Sequence, residues 1–232
     1  RSTEHCAIEV LPPPAKVIIP LSQHLGAPAR ILVKKGDEVK LGQVLAEAGG
    51  FVSAPIHASV SGKVTAVADF AHASGRTMVA VEIENDGKDE KAPMAGIKWQ
   101  EMSGPEIVKK IAEAGIVGMG GASFPTHVKL SPPANKPIDT LIINGAECEP
   151  YLTADYRLMI EKADEIVQGI QIIKKVLNAR KAFIGIEDNK PGAIAKIHEA
   201  LARGGNNDNI SVARLKTKYP QGGEKQLINA IT

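Results

Sequence analysis

Thr140-Leu141-Ile142-Ile143-Asn144 decides how the second half of this chain reads. The run is short, apolar along its length rather than alternating, and closed by Gly145. That is the pattern of a strand buried on both faces. It returns at Ala182-Phe183-Ile184-Gly185-Ile186 and at Ile210-Ser211-Val212-Ala213-Arg214-Leu215. Between these runs the apolar period lengthens. Residues 155–177 place Leu158, Met159, Ile166, Val167, Ile170, Ile173 and Leu177 at helical spacing. Asn189 and Pro191 read as the cap and start of a further helix holding Ile194, Ile197 and Leu201. Strands alternating with helices predict a parallel sheet covered on both faces, a Rossmann-like α/β domain.

Upstream, Ser103-Gly104-Pro105-Glu106 reads as a capping box. Ile107, Val108, Ile111 and Ala112 then share a helical face, and Gly115 ends the helix. Before that the texture changes. Lys16-Val17-Ile18-Ile19, Arg30-Ile31-Leu32-Val33, Gln43-Val44-Leu45-Ala46, Gly62-Lys63-Val64-Thr65-Ala66-Val67 and Met78-Val79-Ala80-Val81-Glu82-Ile83 are short β-like runs punctuated by Gly and Pro. They predict a small all-β barrel or sandwich. The charged, turn-rich stretch from Asn85 to Pro93 reads as a linker. The expected domains are residues 1–95, all-β, and 100–232, α/β.

Composition narrows the function. Lys and Arg number 28 against 26 Asp and Glu, a net charge of +2, and aromatics are 3% of the chain. Without a basic stripe or interleaved aromatics, nucleic acid is excluded as the main partner. Cys6 and Cys148 lie far apart, form no CxxC, and are too few for an iron–sulfur cluster. No run approaches the ~18 apolar residues of a membrane span. The polar start and the apolar finish read as a chain cut at both ends. His57 and His72 have no partners at ligand spacing, so no metal site is expected.

Two segments carry chemistry. In Gly115-Ile116-Val117-Gly118-Met119-Gly120-Gly121-Ala122-Ser123-Phe124-Pro125-Thr126-His127-Val128-Lys129, glycines 118, 120 and 121 let backbone N–H groups approach an anion with no Cβ in the way. Lys129 adds positive charge and Phe124 a flat face. No Gly-Lys-Ser/Thr follows, so this is not a Walker loop. A tight turn without a ligand fits the spacing equally well. The second segment, Asn144-Gly145-Ala146-Glu147-Cys148-Glu149-Pro150-Tyr151-Leu152-Thr153-Ala154-Asp155, begins where a strand ends, which is where α/β sheets bind ligands. Its carboxylates can accept ribose hydroxyls. They also fit a solvated acidic loop with Asp155 capping the next helix. Acidic neighbours blunt Cys148, so no catalytic nucleophile is assigned.

Resemblance to known families adds to this. The segments Val33-Lys34-Lys35-Gly36-Asp37-Glu38-Val39-Lys40-Leu41-Gly42-Gln43-Val44-Leu45 and Ala54-Pro55-Ile56-His57-Ala58-Ser59-Val60-Ser61-Gly62-Lys63-Val64 resemble the two halves of a biotinyl/lipoyl-like barrel-sandwich hybrid. Carrier members bear a lysine on the hairpin between the halves. Here that region is Ala48-Gly49-Gly50-Phe51-Val52-Ser53, so a docking or structural module is expected. The glycine and acidic segments, with Ile19-Pro20-Leu21-Ser22-Gln23-His24-Leu25-Gly26 and Lys218-Tyr219-Pro220-Gln221-Gly222-Gly223-Glu224-Lys225, closely resemble the RnfC family of the membrane-bound Rnf complex. They are more distantly similar to the NADH- and FMN-binding component of respiratory complex I. The chain departs from the latter at Met119, Ala146 and Lys225.

The Rnf resemblance implies an NAD-dependent oxidoreductase subunit of a ferredoxin:NAD oxidoreductase coupled to ion translocation. It implies FMN held by Gly118, Gly120, Gly121, Ala122, Lys129, Asn144 and Glu147. Phe124 and Glu149 would face NADH, and Tyr219, Gly223 and Glu224 would close the site. It further implies two [4Fe–4S] clusters in a C-terminal part absent from this sequence and partnership with the other Rnf subunits. Contact with ferredoxin would be indirect, and the location peripheral, on the cytoplasmic face of the bacterial inner membrane. Cobalamin reductase of propanediol utilisation is a similar alternative, and a non-redox docking module is a third.

Overall fold

A run of short strands can bury one face only by pairing into sheets, and residues 11–132 do so. In a computed structural model, which describes residues 2–94, 96–119, 121–204 and 209–232, seven strands fill this part. They are β1 (Lys16–Pro20), β2 (Arg30–Ile31), β3 (Glu38–Val39), β4 (Val44–Glu47), β5 (Ile56–His57), β6 (Gly62–Ala71) and β7 (Thr77–Asn85). They form two antiparallel sheets, one ordered β1-β7-β6-β3 and the other β2-β4-β5. Ile19, Leu45, Ile56, Val64, Val81 and Ile83 meet in one core of aliphatic side chains. The five strands read from sequence are present, and the two-residue β3 and β5 are added. Runs that short have no periodicity to read; partner strands define them.

The capping box at Ser103 forms as predicted, with the Glu106 carboxylate accepting the Ser103 N–H at 2.7 Å. It opens α1 (Gly104–Glu113), and Gly115 (φ +67°) turns the chain out of it. The short helix α2 (Thr126–Lys129) follows the glycine segment.

The second part contains the parallel sheet. β8 (Thr140–Asn144), β9 (Lys181–Glu187) and β10 (Ile210–Leu215) lie in the order β10-β9-β8, all parallel. The helical stretch at 155–177 is two helices, α3 (Ala154–Glu161) and α4 (Ala163–Leu177), broken at Lys162. Asp164 and Glu165 sit in the first turn of α4, where the helix dipole favours acids. α5 (Pro191–Arg203) starts at Pro191 as expected, but Lys190, not Asn189, is its N-cap. A residue preceding proline is biased away from helical backbone, which places the boundary there. α3, α4 and α5 pack on one face of the sheet through Met159, Val167, Ile170, Ile184, Ile186 and Ile197. α6 (Glu224–Ile231) packs on the other, with Leu227 joining Ala146 and Leu215. Antiparallel sheets and a parallel α/β sheet thus coexist in the chain.

The packing of the chain groups its residues into two units. Leu11–Pro132 forms one unit, and the first ten residues with Pro133–Thr232 form the other. The glycine segment joins the strand-rich unit through backbone bonds such as Leu25 N–H to the Ser123 carbonyl (3.2 Å). The N-terminal residues join the α/β unit. There Ile8 N–H donates to Glu161 (3.0 Å) and Arg157 donates to the Glu4 carbonyl (3.2 Å).

Candidate functional site

In the strand-rich unit, the glycine loop is held at its ends, and Met119, Gly121 and Ala122 between them are exposed. Gly118 N–H donates to the Phe124 carbonyl (2.9 Å) and Thr126 N–H to the Ile116 carbonyl (3.0 Å). The Gly118 N–H is thereby used inside the loop, contrary to its expected availability to an anion. Gly120 lies outside the described residues. Gly121 has φ +112°, a conformation L side chains rarely adopt, and a Cβ there would meet nothing within 4 Å. Ala122 and Lys129 are at least partly exposed, Phe124 is half-buried, and Met119 is 96% exposed. Ser123 also adopts a left-handed conformation (φ +48°).

In the α/β unit, the acidic loop leaves the carboxyl end of β8. The Asn144 side chain makes an Asx turn, accepting the Ala146 N–H (3.2 Å), and its amide donates to the Gly222 carbonyl (2.9 Å). Gly222 N–H in turn donates to Cys148 Sγ (3.4 Å). These bonds bring the acidic loop together with the segment that precedes α6. Of the residues on that segment, Tyr219 is 71% exposed, Gly223 is the N-cap of α6, and Glu224 is exposed in its first turn.

The two glutamates of the acidic loop part company. Glu149 is exposed. Glu147 is buried: Oε1 accepts the Asp155 N–H (2.9 Å) and Oε2 accepts Lys190 Nζ (3.0 Å). The side chains of this ion pair are 2% and 3% exposed, Glu147 and Lys190 respectively. Lys190 Nζ also lies 5.6 Å from the centre of the Tyr156 ring. Glu147 therefore ties the loop to the first turns of α3 and α5. Asp155 does not cap α3; Thr153 holds that position, and Glu147 satisfies a free N–H of the first turn. Burial, and then the charge of Glu147, push the Asp155 carboxyl above its ordinary pKa, with Lys190 opposing.

Sequence reasoning missed Lys190. Its position, between a turn and Pro191, signals a helix start and says nothing of a buried partner 43 residues away. It also missed Gln221 and Glu187, both 1% exposed. Both Glu187 carboxylate oxygens and the Gln221 Oε1 lack a hydrogen-bond partner among the described residues.

Both loops fall within a stretch that matches a known family. Residues 111–232 match the Nuo51 FMN-binding domain, and residues 1–88 match the RnfC barrel sandwich hybrid domain. The chain is 53% identical over its whole length to the C subunit of the proton-translocating ferredoxin:NAD(+) oxidoreductase complex of Clostridium ljungdahlii, covering 50% of that protein. It is 52% identical to the Na(+)-translocating counterpart of Acetobacterium woodii, over 94% of the chain and 49% of that protein. It is 46% identical to the C subunit of the ion-translocating oxidoreductase complex of Rhodobacter capsulatus, over 99% of the chain and 44% of that protein. The chain thus spans about half the length of these curated relatives. The crystal structure of an air-oxidised NAD+-reducing [NiFe]-hydrogenase matches 56% of the chain and 24% of its own chain, with a TM-score of 0.51 and 25% identity. With a match to the RnfC barrel sandwich hybrid domain ahead of a match to the Nuo51 FMN-binding domain, the chain belongs to the RnfC family.

Proposed function

We propose that this chain is the NADH- and FMN-binding part of an electron-transfer subunit in an ion-translocating ferredoxin:NAD oxidoreductase. The observation that carries this reading is the joint occurrence, in one chain and in order, of the RnfC barrel sandwich match and the FMN-binding match. The relatives' names favour it over the cobalamin reductase and docking alternatives.

The residues present fit a phosphate-bearing cofactor. Gly121 offers backbone with open space beside it, in a conformation that glycine alone adopts without strain. Lys129, accessible on the same segment, supplies a cation for the phosphate. FMN, where bound, would supply hydride acceptance from NADH and one-electron release, and the protein would supply position and electrostatics. In that division of labour Gly121, Ala122 and Lys129 hold the phosphate end, with Gly118 setting the shape of the loop. Phe124 and Glu149 are the residues proposed to serve the nicotinamide nucleotide. Asn144 and Glu147 fix the acidic loop, the latter from inside the protein. Tyr219, Gly223 and Glu224, on the segment before α6, complete the proposed binding set.

The remainder of the parent protein is proposed to hold two [4Fe–4S] clusters and to pass electrons towards ferredoxin, in contact with the other components of the complex. Among the described residues no helix is long and apolar enough to cross a membrane. Peripheral attachment at the cytoplasmic face follows from the proposed partnership.

Titration of FMN into the protein, read by quenching of flavin fluorescence, tests the reading. Wild type is expected to bind. Gly121→Glu, which sets a carboxylate against the phosphate, is expected to weaken binding at least tenfold. Equal affinity in both proteins would remove the glycine loop from the site.

A further inference from the structure

We propose that the hairpin tip of the strand-rich module, residues 49–54, is the support that holds the glycine loop in its binding shape, with His127 as the positioning residue. The inference rests on the reading that FMN phosphate lies along that loop.

The tip itself is built rigidly. Ser53 is fully buried; its hydroxyl donates to the Ala27 carbonyl (2.7 Å) and accepts the Gly49 N–H (2.9 Å). Ala27 N–H donates to the Val52 carbonyl (2.9 Å). The backbones approach so closely that a Cβ on Gly26 would lie 2.0 Å from the Val52 carbonyl oxygen, and one on Gly49 2.1 Å from that of Pro28. His24, 8% exposed, bonds Ala54 through its Nε2 at 3.1 Å. The tip is thus pinned to residues 24–28 at several points.

From this tip and its flanks, three attachments bracket the glycine loop. Before the loop, Gly115 packs on the backbone of Pro55, where a Cβ would come within 2.6 Å of the carbonyl oxygen. Within the loop, the Ser123 carbonyl accepts the Leu25 N–H (3.2 Å). After it, His127 Nε2 donates to the Phe51 carbonyl (3.1 Å), and the Phe51 and His127 rings meet edge to face with centroids 6.2 Å apart. Between these anchors the segment around Gly121 lies open. Phe51 stands in the region where carrier members bear their lysine, and here its carbonyl serves as the acceptor. A cavity of about 400 Å³ lies beside two of these attachments, lined by His24, Pro55, Gly115, Gly118, Met119 and Ser123 among others. The loop's own bonds, Gly118 to Phe124 and Thr126 to Ile116, close its base, and the three attachments fix that base against the tip. Preorganising a loop lowers the ordering cost of binding.

The test uses the intact protein, with FMN as the probe. His127→Leu removes the donor at similar volume, while His127→Gln keeps an N–H able to reach the Phe51 carbonyl. The expected result is about a tenfold weaker FMN affinity in His127→Leu and recovery to within about threefold in His127→Gln. Hydrogen exchange without FMN should show faster exchange at residues 118–129 in His127→Leu, with Val64, Val81 and Ile83 unchanged. Phe51→Ala, which removes the ring contact but keeps the carbonyl, should fall between wild type and His127→Leu. Wild-type affinity and wild-type exchange in His127→Leu, with Gly121→Glu still impaired, would overturn the support role alone. Unimpaired binding in Gly121→Glu would overturn the FMN reading of the loop, and this inference with it. General loosening in His127→Leu that includes the core amides would also overturn it, since the histidine would then serve the fold and not the loop.

Discussion

Replacing Lys190 by methionine isolates what holds the acidic loop. The Glu147–Lys190 pair is 3.0 Å apart with both side chains at most 3% exposed. Methionine preserves most of the stem volume and removes the ammonium. Glu147 keeps its bond to the Asp155 N–H, but its other oxygen loses a charged donor inside the protein. Removing one partner of a buried pair costs about 3–5 kcal/mol, because the remaining charge stays buried. At about 2–4 °C per kcal/mol for a chain of this size, the melting temperature should fall by roughly 10 °C. The double variant Lys190→Met/Glu147→Gln removes the stranded charge and keeps an acceptor for Asp155. It should recover most of the loss, because well-matched neutral replacements of buried pairs are often close to neutral. The assay is thermal unfolding followed by far-ultraviolet circular dichroism for wild type, both single variants and the double variant, closed as a double-mutant cycle. A Lys190→Met loss below about 1 kcal/mol, or a double variant less stable than Lys190→Met alone, would show that the pair does not hold the loop in this way.

Asp155 is exposed as a residue, but partial desolvation of its carboxyl and the nearby Glu147 charge push it up, so the folded protein holds this proton more tightly than the unfolded chain. Its contribution is therefore complete below the unfolded value near 4 and is lost as pH rises through the folded value. Asp155→Asn should raise the melting temperature at pH ~7 and lose that advantage at pH ~3, which melting curves at the two pH values will check. Glu187, 1% exposed with no donor to its carboxylate among the described residues, should become less costly as glutamine; Glu187→Gln is expected to raise the melting temperature by a few degrees in scanning fluorimetry. Gly62→Ala sets a Cβ 1.9 Å from the Glu84 carbonyl oxygen at φ +150°. It should destabilise the strand-rich unit by more than about 2 kcal/mol in denaturant titration.

What could be read from the sequence divides along physical lines. Apolar runs such as Thr140–Asn144 announce themselves, because a strand buried on both faces needs nothing but its own side chains to be recognised. The Ser103/Glu106 capping box is equally local: donor and acceptor sit three residues apart. The break at Lys162 was hidden because the apolar period runs through it, and packing against α5 decides it. The units that the first ten residues and the glycine segment join were hidden for a similar reason. Their partners, Glu161 for Ile8 and Phe51 for His127, are distant in sequence. At the candidate site, residue types pointed to the loops but not to which groups remain available. Gly118 spends its N–H on Phe124 and Glu147 spends its carboxylate on Lys190, and both facts arise only when the chain closes on itself. The resemblance supplied the cofactor expectation, and the fold supplies the reason Glu147 and Glu149 differ.

Anaerobic addition of NADH to the FMN-loaded protein, followed by the visible absorbance of the flavin, decides whether this chain binds FMN and takes hydride from NADH onto it. Stoichiometric bleaching is expected of wild type, and much less of Gly121→Glu, whose loop is expected to bind the cofactor at least tenfold more weakly. Tight FMN binding with a flavin spectrum that NADH leaves unchanged would rule out hydride transfer at this site.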